Sequence, residues 1–296
     1  MPALPRVRPG FAGCGMIAAS SMPQEPPSMP STPFARQAAA LLWQHRNAGT
    51  TLDTLPAALR PADIAAGHAI QAELPAVSGQ PVAGWKIAAT SAAGQAHINV
   101  GGPLPGRILA SFVYAIGERV PLQGNRMRVV EPEFAFRLGA DLAPRDRPRT
   151  QEEVFAAVAS LHPAFEVPDS RFGDFTVVGA AQLLADDACC GNFVFGSAAP
   201  DGWRDTDLRG ARVHVAVHDA SGALRYAREG DGSAALGDPR VALTWLVNEL
   251  ASRGIGLTAG QYVSTGTCMV PLAVTPGDRV GADYGRFGKI DLQLAP

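Results

Sequence analysis

Residues 129–138 read VVEPEFAFRL, and acidic and apolar side chains alternate along this stretch with a period of two. Successive side chains of a β-strand point to opposite faces, so Glu131 and Glu133 share one face. The other face carries Val130, Phe134, Phe136 and Leu138. Two like charges at this spacing repel each other, and Glu is depleted in strands. We therefore predict a strand with one buried face and one acidic face that a cation or solvent compensates.

A third carboxylate occurs in a similar run further along the chain, where Glu166 lies between Phe165 and Val167. Three carboxylates without His or Cys suit an oxygen-preferring cation such as Mg²⁺ or Mn²⁺, with the remaining positions left to water or substrate. The alternative is that Glu131 and Glu133 only line the wet face of an antiparallel strand, which is the ordinary role of a Glu-x-Glu pair. The residues alone leave both interpretations open.

The composition is that of an ordinary soluble globular protein, with 47% hydrophobic and 18% charged residues. The 25 basic and 27 acidic residues are spread along the chain, so no basic stripe predicts binding to nucleic acid or to an anionic membrane. No stretch reaches the roughly 20 consecutive apolar residues of a membrane span. The four cysteines lack the spacing of a zinc site, which predicts reduced, buried thiols in a cytoplasmic protein.

The chain divides into a short extension and one domain. Residues 1–33 are rich in Pro, Ser and Met without periodicity and predict a disordered extension; the alternative, a signal peptide, has an apolar run that glycines interrupt. Residues 34–296 are predicted to form a single domain, with a helical N-terminal layer over 34–77 and a β-rich core over 78–296. Strands outnumber helices and do not alternate with them, so we predict an α+β fold with a mixed sheet and not a Rossmann or barrel fold.

Four segments carry a resemblance to a known family: GWKIAATS at 84–91, VEPEFAF at 130–136, PAFEV at 163–167 and ADDACCG at 185–191. Their order and approximate spacing resemble those of the fumarylacetoacetate hydrolase superfamily. Within it, the resemblance is to the group of 2-keto-4-pentenoate hydratase, 2-oxohepta-3-ene-1,7-dioate hydratase and 4-oxalocrotonate decarboxylase. It extends from about Leu59 to the C-terminus, and it implies that the sheet is the mixed β-roll of that superfamily.

The resemblance also implies roles for individual residues. Glu131, Glu133 and Glu166 would hold Mg²⁺ or Mn²⁺, Lys86 would point into the metal site and relay protons, and Asp187 or a bound water would serve as base. The alternatives are that Lys86 extends its ammonium group to the surface and that Asp187, with its neighbour Asp186, only caps a turn.

Substrate-binding residues follow from the same resemblance. The segment that contains Thr265 and Gly266 is similar to the family's substrate loop, where a hydroxyl or backbone amide meets the substrate carboxylate; turn formation is the alternative. Independently of the resemblance, the candidate partners for a second carboxylate on the substrate are Arg171, Arg137 and Arg286, and each could equally be a surface residue.

The implied reaction is hydration of a 2-hydroxyalka-2,4-dienoate to a 4-hydroxy-2-oxoacid in aromatic-compound catabolism, with a small-molecule 2-oxoacid substrate and a homo-oligomeric enzyme. The alternatives are decarboxylation of a 2-oxo-3-enedioate and C–C hydrolysis of an acylpyruvate; hydrolysis ranks lower because neither His45 nor His68 has an evident Glu partner. A degenerate, non-catalytic member that binds a structural cation is a further alternative. Ser111 and Asp238 support it because both depart from the family pattern, although capping of a helix also explains Asp238.

Overall fold

The computed structural model describes residues 32–296. The disordered extension predicted for 1–33 lies outside the described residues except at its end, where Thr32 and Pro33 begin the first helix. The Thr32 hydroxyl accepts a hydrogen bond from the Ala35 amide at 3.2 Å, and Pro33 occupies a position where its missing N–H costs nothing. Gly49, left-handed at φ 63°, ends that helix.

The helices of the described residues lie in chain order as follows: α1 Pro33–Ala48, α2 Ile64–Ala72, α3 Leu74–Ser78, α4 Ala92–His97, α5 Gln151–Ala156, α6 Ala180–Ala185 and α7 Pro239–Ala251. The first two pack together through a cluster that includes Leu42 and Ile70, and Phe172 and Ala185 complete the cluster from the core side. This cluster attaches the helical N-terminal layer to the rest of the molecule. No helix in this part of the chain is long and apolar enough to cross a bilayer.

The strands are β1 Val82–Ala88, β2 Leu104–Leu109, β3 Val113–Tyr114, β4 Arg119–Val120, β5 Val129–Leu138, β6 Val158–Val167, β7 Asn192–Phe195, β8 Arg212–His218, β9 Leu224–Asp231, β10 Tyr262–Thr267, β11 Leu272–Ala273, β12 Arg279–Asp283 and β13 Lys289–Leu294. They form a mixed eight-stranded sheet in the order β2-β1-β10-β5-β6-β7-β3, in which β11 also pairs with β5. The remaining strands form a five-stranded sheet in the order β4-β13-β12-β8-β9. This mixed architecture is the α+β fold predicted from the sequence.

The main core lies between the two sheets. From β5 it takes Phe134 and Phe136, neither of which is exposed, and from the smaller sheet it takes Val215 and Val280. The Phe134 ring meets the ring of Tyr284 edge-on, with their centroids 5.2 Å apart. The even-numbered side chains of β5 are therefore buried against the smaller sheet, as the alternation predicted, which leaves the odd-numbered acidic face for the opposite side.

Two predicted elements differ in the structure. Thr150 as N-cap, with Glu152 and Glu153 in the first turn, predicts a helix through Leu161. The helix instead ends at Ala156, because Val158 already starts β6 and pairs with Leu138 of β5. Residues 175–181 read as a strand in the sequence, but in the structure they form turns followed by α6, whose backbone packs closely on Gly67 of α2. In both places long-range packing decides between helix and strand where a short apolar run does not.

Candidate active site

The three predicted glutamates converge on one face of the eight-stranded sheet. Strands β5 and β6 pair antiparallel with Glu131 opposite Glu166, and the period of two places Glu133 on the same side. One carboxylate oxygen from each of the three lies within 4.8 Å of the other two. Ligand oxygens on opposite sides of a Mg²⁺ or Ca²⁺ ion are about 4–5 Å apart, so this spacing fits a single divalent cation.

The electrostatics of the cluster favour a positive partner. Burial, together with the charge of Glu166, raises the pKa of Glu131 to about 7. Burial also raises the pKa of Glu133 well above its usual value, and the charges of the other two glutamates add to the effect. Oε1 of Glu133 is buried and has no hydrogen-bond partner among the described residues. A hard cation would bind this unpaired, buried oxygen together with the other two carboxylates, and it would balance their charge.

Residues of β10 orient the Glu133 carboxylate. Its Oε2 accepts hydrogen bonds from the Ser264 hydroxyl at 2.5 Å and from the Gly266 amide at 2.9 Å. Gly266 has φ 99°, and a Cβ there would lie 2.4 Å from Oγ1 of Thr90, so the backbone approach requires glycine. Ser264 was missed by the sequence reasoning, although the period of two along β10 places it on the same face as Gly266.

Lys86 lies beside the glutamates on the neighbouring part of the sheet. Its Nζ is 3.2 Å from Oε1 of Glu166 and donates a hydrogen bond of 3.1 Å to the Ala188 carbonyl, and the residue is 2% exposed. Burial alone would lower the pKa of Lys86, but the surrounding negative groups, Glu166 foremost, outweigh burial and raise it. Opposite Lys86 on β2 is Gly106, whose missing side chain leaves room for the lysine stem. The alternative of a lysine that reaches the surface is therefore wrong.

The two adjacent aspartates have different environments. Oδ1 of Asp187 accepts a hydrogen bond of 2.7 Å from the Arg107 amide, whereas its Oδ2 is buried and has no partner among the described residues. Burial raises the pKa of Asp187 to about 7, against the opposing effects of the Arg107 amide and of nearby guanidinium groups. Asp187 and Arg171 line a cleft beneath α1. Asp186, in contrast, accepts a 2.6 Å bond from Nε of Arg171.

Only some of the predicted substrate-binding residues contact the glutamates. The Gly266 amide contacts Glu133, but the Thr265 hydroxyl donates to the Phe134 carbonyl at 2.8 Å on the other side of the strand. The guanidinium group of Arg171 pairs with Asp186. Roles for Thr265, Gly266 and Arg171 in substrate binding stay predictions.

The other two candidate arginines lie elsewhere in the fold. Arg137 is at the far end of β5, with its guanidinium carbon 5.9 Å from the Tyr262 ring centroid. Arg286 lies in a turn of the smaller sheet, where its Nη2 approaches Gly202. Neither is seen to contact the glutamates, and neither is supported as the partner of a distal carboxylate.

Comparison with known proteins gives relatives that cover most of the chain. A 2-keto-4-pentenoate hydratase of Burkholderia vietnamiensis is 32% identical over 255 residues, which is 85% of this chain and 94% of that protein. The chain belongs to the 2-keto-4-pentenoate hydratase family. A 2-hydroxyhexa-2,4-dienoate hydratase of Comamonas testosteroni is 34% identical over 219 residues, 73% of this chain and 80% of that protein. The chain matches no protein-family model.

Solved structures agree with the family and the fold. The 4-oxalocrotonate decarboxylase of Pseudomonas putida G7, complexed with magnesium and adipate, superposes with a TM-score of 0.74 and is 26% identical, over 87% of this chain and 97% of that one. The same enzyme is also known with calcium and acetate. A fumarylacetoacetate hydrolase family protein of Yersinia pestis CO92 shares the fold, with a TM-score of 0.51 and 16% identity over 73% of this chain and 94% of that one. This member of the hydratase family therefore has the fumarylacetoacetate hydrolase fold.

Proposed function

We propose that this chain is a metal-dependent hydro-lyase that adds water to a 2-hydroxyalka-2,4-dienoate and forms a 4-hydroxy-2-oxoacid in aromatic-compound catabolism. The observation that carries the proposal is the convergence of three carboxylates within 4.8 Å beside an ion-paired, buried lysine. Hydratases of such dienoates among the relatives support the same reaction.

The cofactor that we propose is Mg²⁺ or Mn²⁺, held by Glu131, Glu133 and Glu166. The donor set supports this choice because it contains oxygen ligands alone and leaves one buried oxygen of Glu133 without another partner. When bound, such a cation supplies Lewis acidity toward the carboxylate and the 2-oxygen of the substrate. The metal-bound decarboxylase structures support a divalent cation at this fold.

The side chains of this protein would carry the proton transfers. The Lys86 ammonium, held between Glu166 and the Ala188 carbonyl, would deliver a proton to C5 of the dienol while the C2 hydroxyl loses its own. That step forms an α,β-unsaturated 2-oxoacid. Water would then add to C4, with Asp187 as the group that takes the proton from the water and C3 as the carbon that is protonated. The buried Oδ2 of Asp187 supports this role, since it has no partner in the described residues.

A decarboxylase is the second candidate, because the solved structure with the TM-score of 0.74 is a decarboxylase. Its substrate class, a 2-oxo-3-enedioate, carries a second carboxylate that needs a cationic partner. Arg171 is one of the three arginines predicted as that partner, and its Nε donates a hydrogen bond to Asp186 at 2.6 Å. Nη1 of Arg171 is buried and has no hydrogen-bond partner among the described residues, so this arginine does not separate the two reactions. The dienoate hydratases among the relatives support hydration.

The test of the proposal is proton NMR of purified protein with Mg²⁺ and freshly generated 2-hydroxypenta-2,4-dienoate in D₂O. We expect 4-hydroxy-2-oxopentanoate with deuterium at C5 and C3, formed faster than without protein. A parallel sample with a 2-oxo-3-enedioate should release no CO₂. Release of CO₂ from the enedioate, with no hydration of the dienoate, would establish the decarboxylase instead.

The sequence also predicted a cytoplasmic homo-oligomer that binds neither nucleic acid nor membranes. These remain predictions. The near-neutral charge balance of 25 basic and 27 acidic residues supports the expected absence of a nucleic-acid partner.

A further inference from the structure

The segment that contacts Lys86 has an unusual backbone. Asp187, Ala188 and Cys189 have φ values of 57°, 52° and 57°, so three consecutive residues with a Cβ are left-handed. Each is disfavoured by contact of the Cβ with the following carbonyl, and such residues normally occur singly. A strained run of this kind persists only where the surrounding structure fixes it.

Asp186 fixes the start of this left-handed turn. Its Oδ2 accepts hydrogen bonds from the Ser170 hydroxyl at 2.7 Å and from the Arg171 amide at 2.8 Å, and its Oδ1 accepts from Nε of Arg171 at 2.6 Å. Both Asp186 and Arg171 are 3% exposed. The segment 169–171 also holds the far side of the turn, because the Asp169 amide donates to the Cys189 carbonyl at 3.0 Å. Residues 169–171 therefore form hydrogen bonds to both ends of the turn.

The turn in its left-handed form presents the Ala188 carbonyl to Lys86 at 3.1 Å. Rotation of Ala188 to a right-handed conformation would turn this carbonyl away and leave the ammonium with Glu166 as its remaining partner, at 3.2 Å. We propose that Asp186 is a positioning residue, whose ion pair with Arg171 holds the turn left-handed and thereby fixes Nζ of Lys86. The effect on turnover rests on the proposed function, whereas the effect on Lys86 does not.

The competing account is that Asp186 stabilises the fold and nothing more. The chain offers a matched control in Asp278, which is 1% exposed and accepts hydrogen bonds from the Thr275 amide at 2.8 Å, from the Thr275 hydroxyl at 3.1 Å and from Nη1 of Arg225. Asp278 therefore has the same three kinds of donor as Asp186, in a turn beside β12 of the smaller sheet. Asp186→Asn and Asp278→Asn each replace a buried carboxylate, paired with an arginine, by a neutral amide. The first change is next to the turn that contacts Lys86, and the second is in the smaller sheet.

The lysine content makes a direct measurement possible. The chain contains two lysines, Lys86 and Lys289, and the Lys289 side chain is 75% exposed. Lysine labelled with ¹³C at Cε gives one signal from the site and one internal reference from the surface. Relaxation of these signals should show Lys86 more ordered than Lys289 in the wild-type protein, because the 2.7 Å ion pair of Lys289 with Asp283 is exposed to solvent and therefore weak. In Asp186→Asn the order parameter of Lys86 should fall toward that of Lys289, and in Asp278→Asn it should keep its wild-type value.

Turnover gives the second readout. Because a misplacement of about 1 Å can cost on the order of 100-fold in rate, Asp186→Asn should lower kcat for the dienoate by about 10- to 100-fold with little change in KM. Asp278→Asn should keep the wild-type kcat, while its Tm should fall about as far as the Tm of Asp186→Asn. If Asp186→Asn does not fold, Ser170→Ala, which removes one of the three bonds, should give a smaller loss of Lys86 order in the same direction.

The outcomes separate the two proposals. A loss of Lys86 order in Asp186→Asn, in a protein whose wild type does not hydrate the dienoate, would support the positioning role and contradict the proposed function. A lower Tm with unchanged Lys86 order, and with unchanged kcat in an active enzyme, would overturn the positioning role. Equal loss of Lys86 order in Asp278→Asn would overturn it as well.

Discussion

Two buried carboxylates, those of Asp186 and Glu133, differ in how their oxygens are used. Both oxygens of Asp186 accept hydrogen bonds, from Ser170 and from the amide and Nε of Arg171. In the glutamate cluster, Oε1 of Glu133 has no partner in the described part of the chain, and burial, together with the charges of Glu166 and Glu131, raises the pKa of Glu133.

This difference distinguishes a carboxylate whose hydrogen bonds are complete from one that can still bind a ligand. An unsatisfied buried acceptor costs roughly 1–3 kcal/mol, so a folded protein retains one where something else can bind to it. Burial alone does not distinguish the two groups, since Asp186 is 3% exposed and Glu133 is 0% exposed. The arrangement of donors around each carboxylate does.

The largest effect is expected from Lys86→Met, which keeps the unbranched, apolar stem of the side chain and removes its ammonium group. General acid–base groups contribute about 100- to 10,000-fold to rates, so kcat for the dienoate should fall by that order. Mg²⁺ affinity should change little, because the three glutamates remain. Calorimetric titration of Mg²⁺ and steady-state rates on the same preparation would check this, and a loss of metal binding with full turnover would contradict the assignment.

Stability in the absence of metal should change in opposite directions at the two acidic groups. Loss of one partner of a buried ion pair costs about 3–5 kcal/mol, so Asp186→Asn should lower the free energy of unfolding by that order. Glu133→Gln removes a charge that burial and two carboxylates disfavour, and it should raise the free energy of unfolding. Urea denaturation in EDTA would measure the free energy of unfolding of both variants. A decrease in both would contradict the different roles assigned to Asp186 and Glu133.

The stabilisation by Mg²⁺ should depend on pH. The pKa of Glu131 rises from 4.5 to about 7 on folding, because burial and Glu166 disfavour its charged form. Its contribution to stability is therefore complete below pH 4.5 and is lost as the pH rises through about 7. A cation offsets this loss, so Mg²⁺ should raise the Tm more at about pH 8 than at about pH 5. Equal shifts at the two pH values would argue against the cluster as the binding site.

A smaller effect is expected from Ser264→Ala, which removes the 2.5 Å hydrogen bond to Oε2 of Glu133. Partners that orient a metal ligand typically contribute 10- to 100-fold to metal affinity or activity. Since the Gly266 amide still holds the same oxygen, we expect the lower value, about tenfold in the Kd for Mg²⁺. Thr267→Ser, on the same strand, is a control that should keep the wild-type Kd.

The smallest effect tests the predicted role of Thr265. Thr265→Val removes a hydroxyl that donates to the Phe134 carbonyl, and the lost bond should cost about 1 kcal/mol of stability. If the hydroxyl is used only in this bond, KM for the dienoate stays the same. A clear rise in KM would establish the substrate-binding role that the sequence predicted.

The sequence was informative where a pattern is local. The period of two around Glu131 and Glu133 predicted which side chains of β5 are buried, and the resemblance predicted the family and the fold, which the relatives and solved structures confirm. The third ligand, Glu166, joins them through pairing of β5 with a strand about thirty residues away. That register could be inferred from the resemblance but not from either strand alone.

The features that the sequence did not predict depend on contacts between residues that are far apart in the chain. The left-handed conformation of Ala188 arises because Asp186 meets Arg171 across a turn, and nothing in the letters ADDACCG requires a positive φ. The same holds for the short helix α6, whose segment was predicted partly as a strand. Its conformation is decided by packing against α2, which lies more than a hundred residues earlier in the chain.

The most direct test of the central claim is the rate of dienol absorbance loss during titration of EDTA-treated, dialysed protein with Mg²⁺. Without metal we expect no loss above the spontaneous rate, and with Mg²⁺ we expect a rate that rises with occupancy of one site per chain. Glu133→Gln should need far more Mg²⁺ or stay inactive. Full wild-type activity in excess EDTA, or a normal titration in Glu133→Gln, would contradict the claim that the three glutamates hold the catalytic cation.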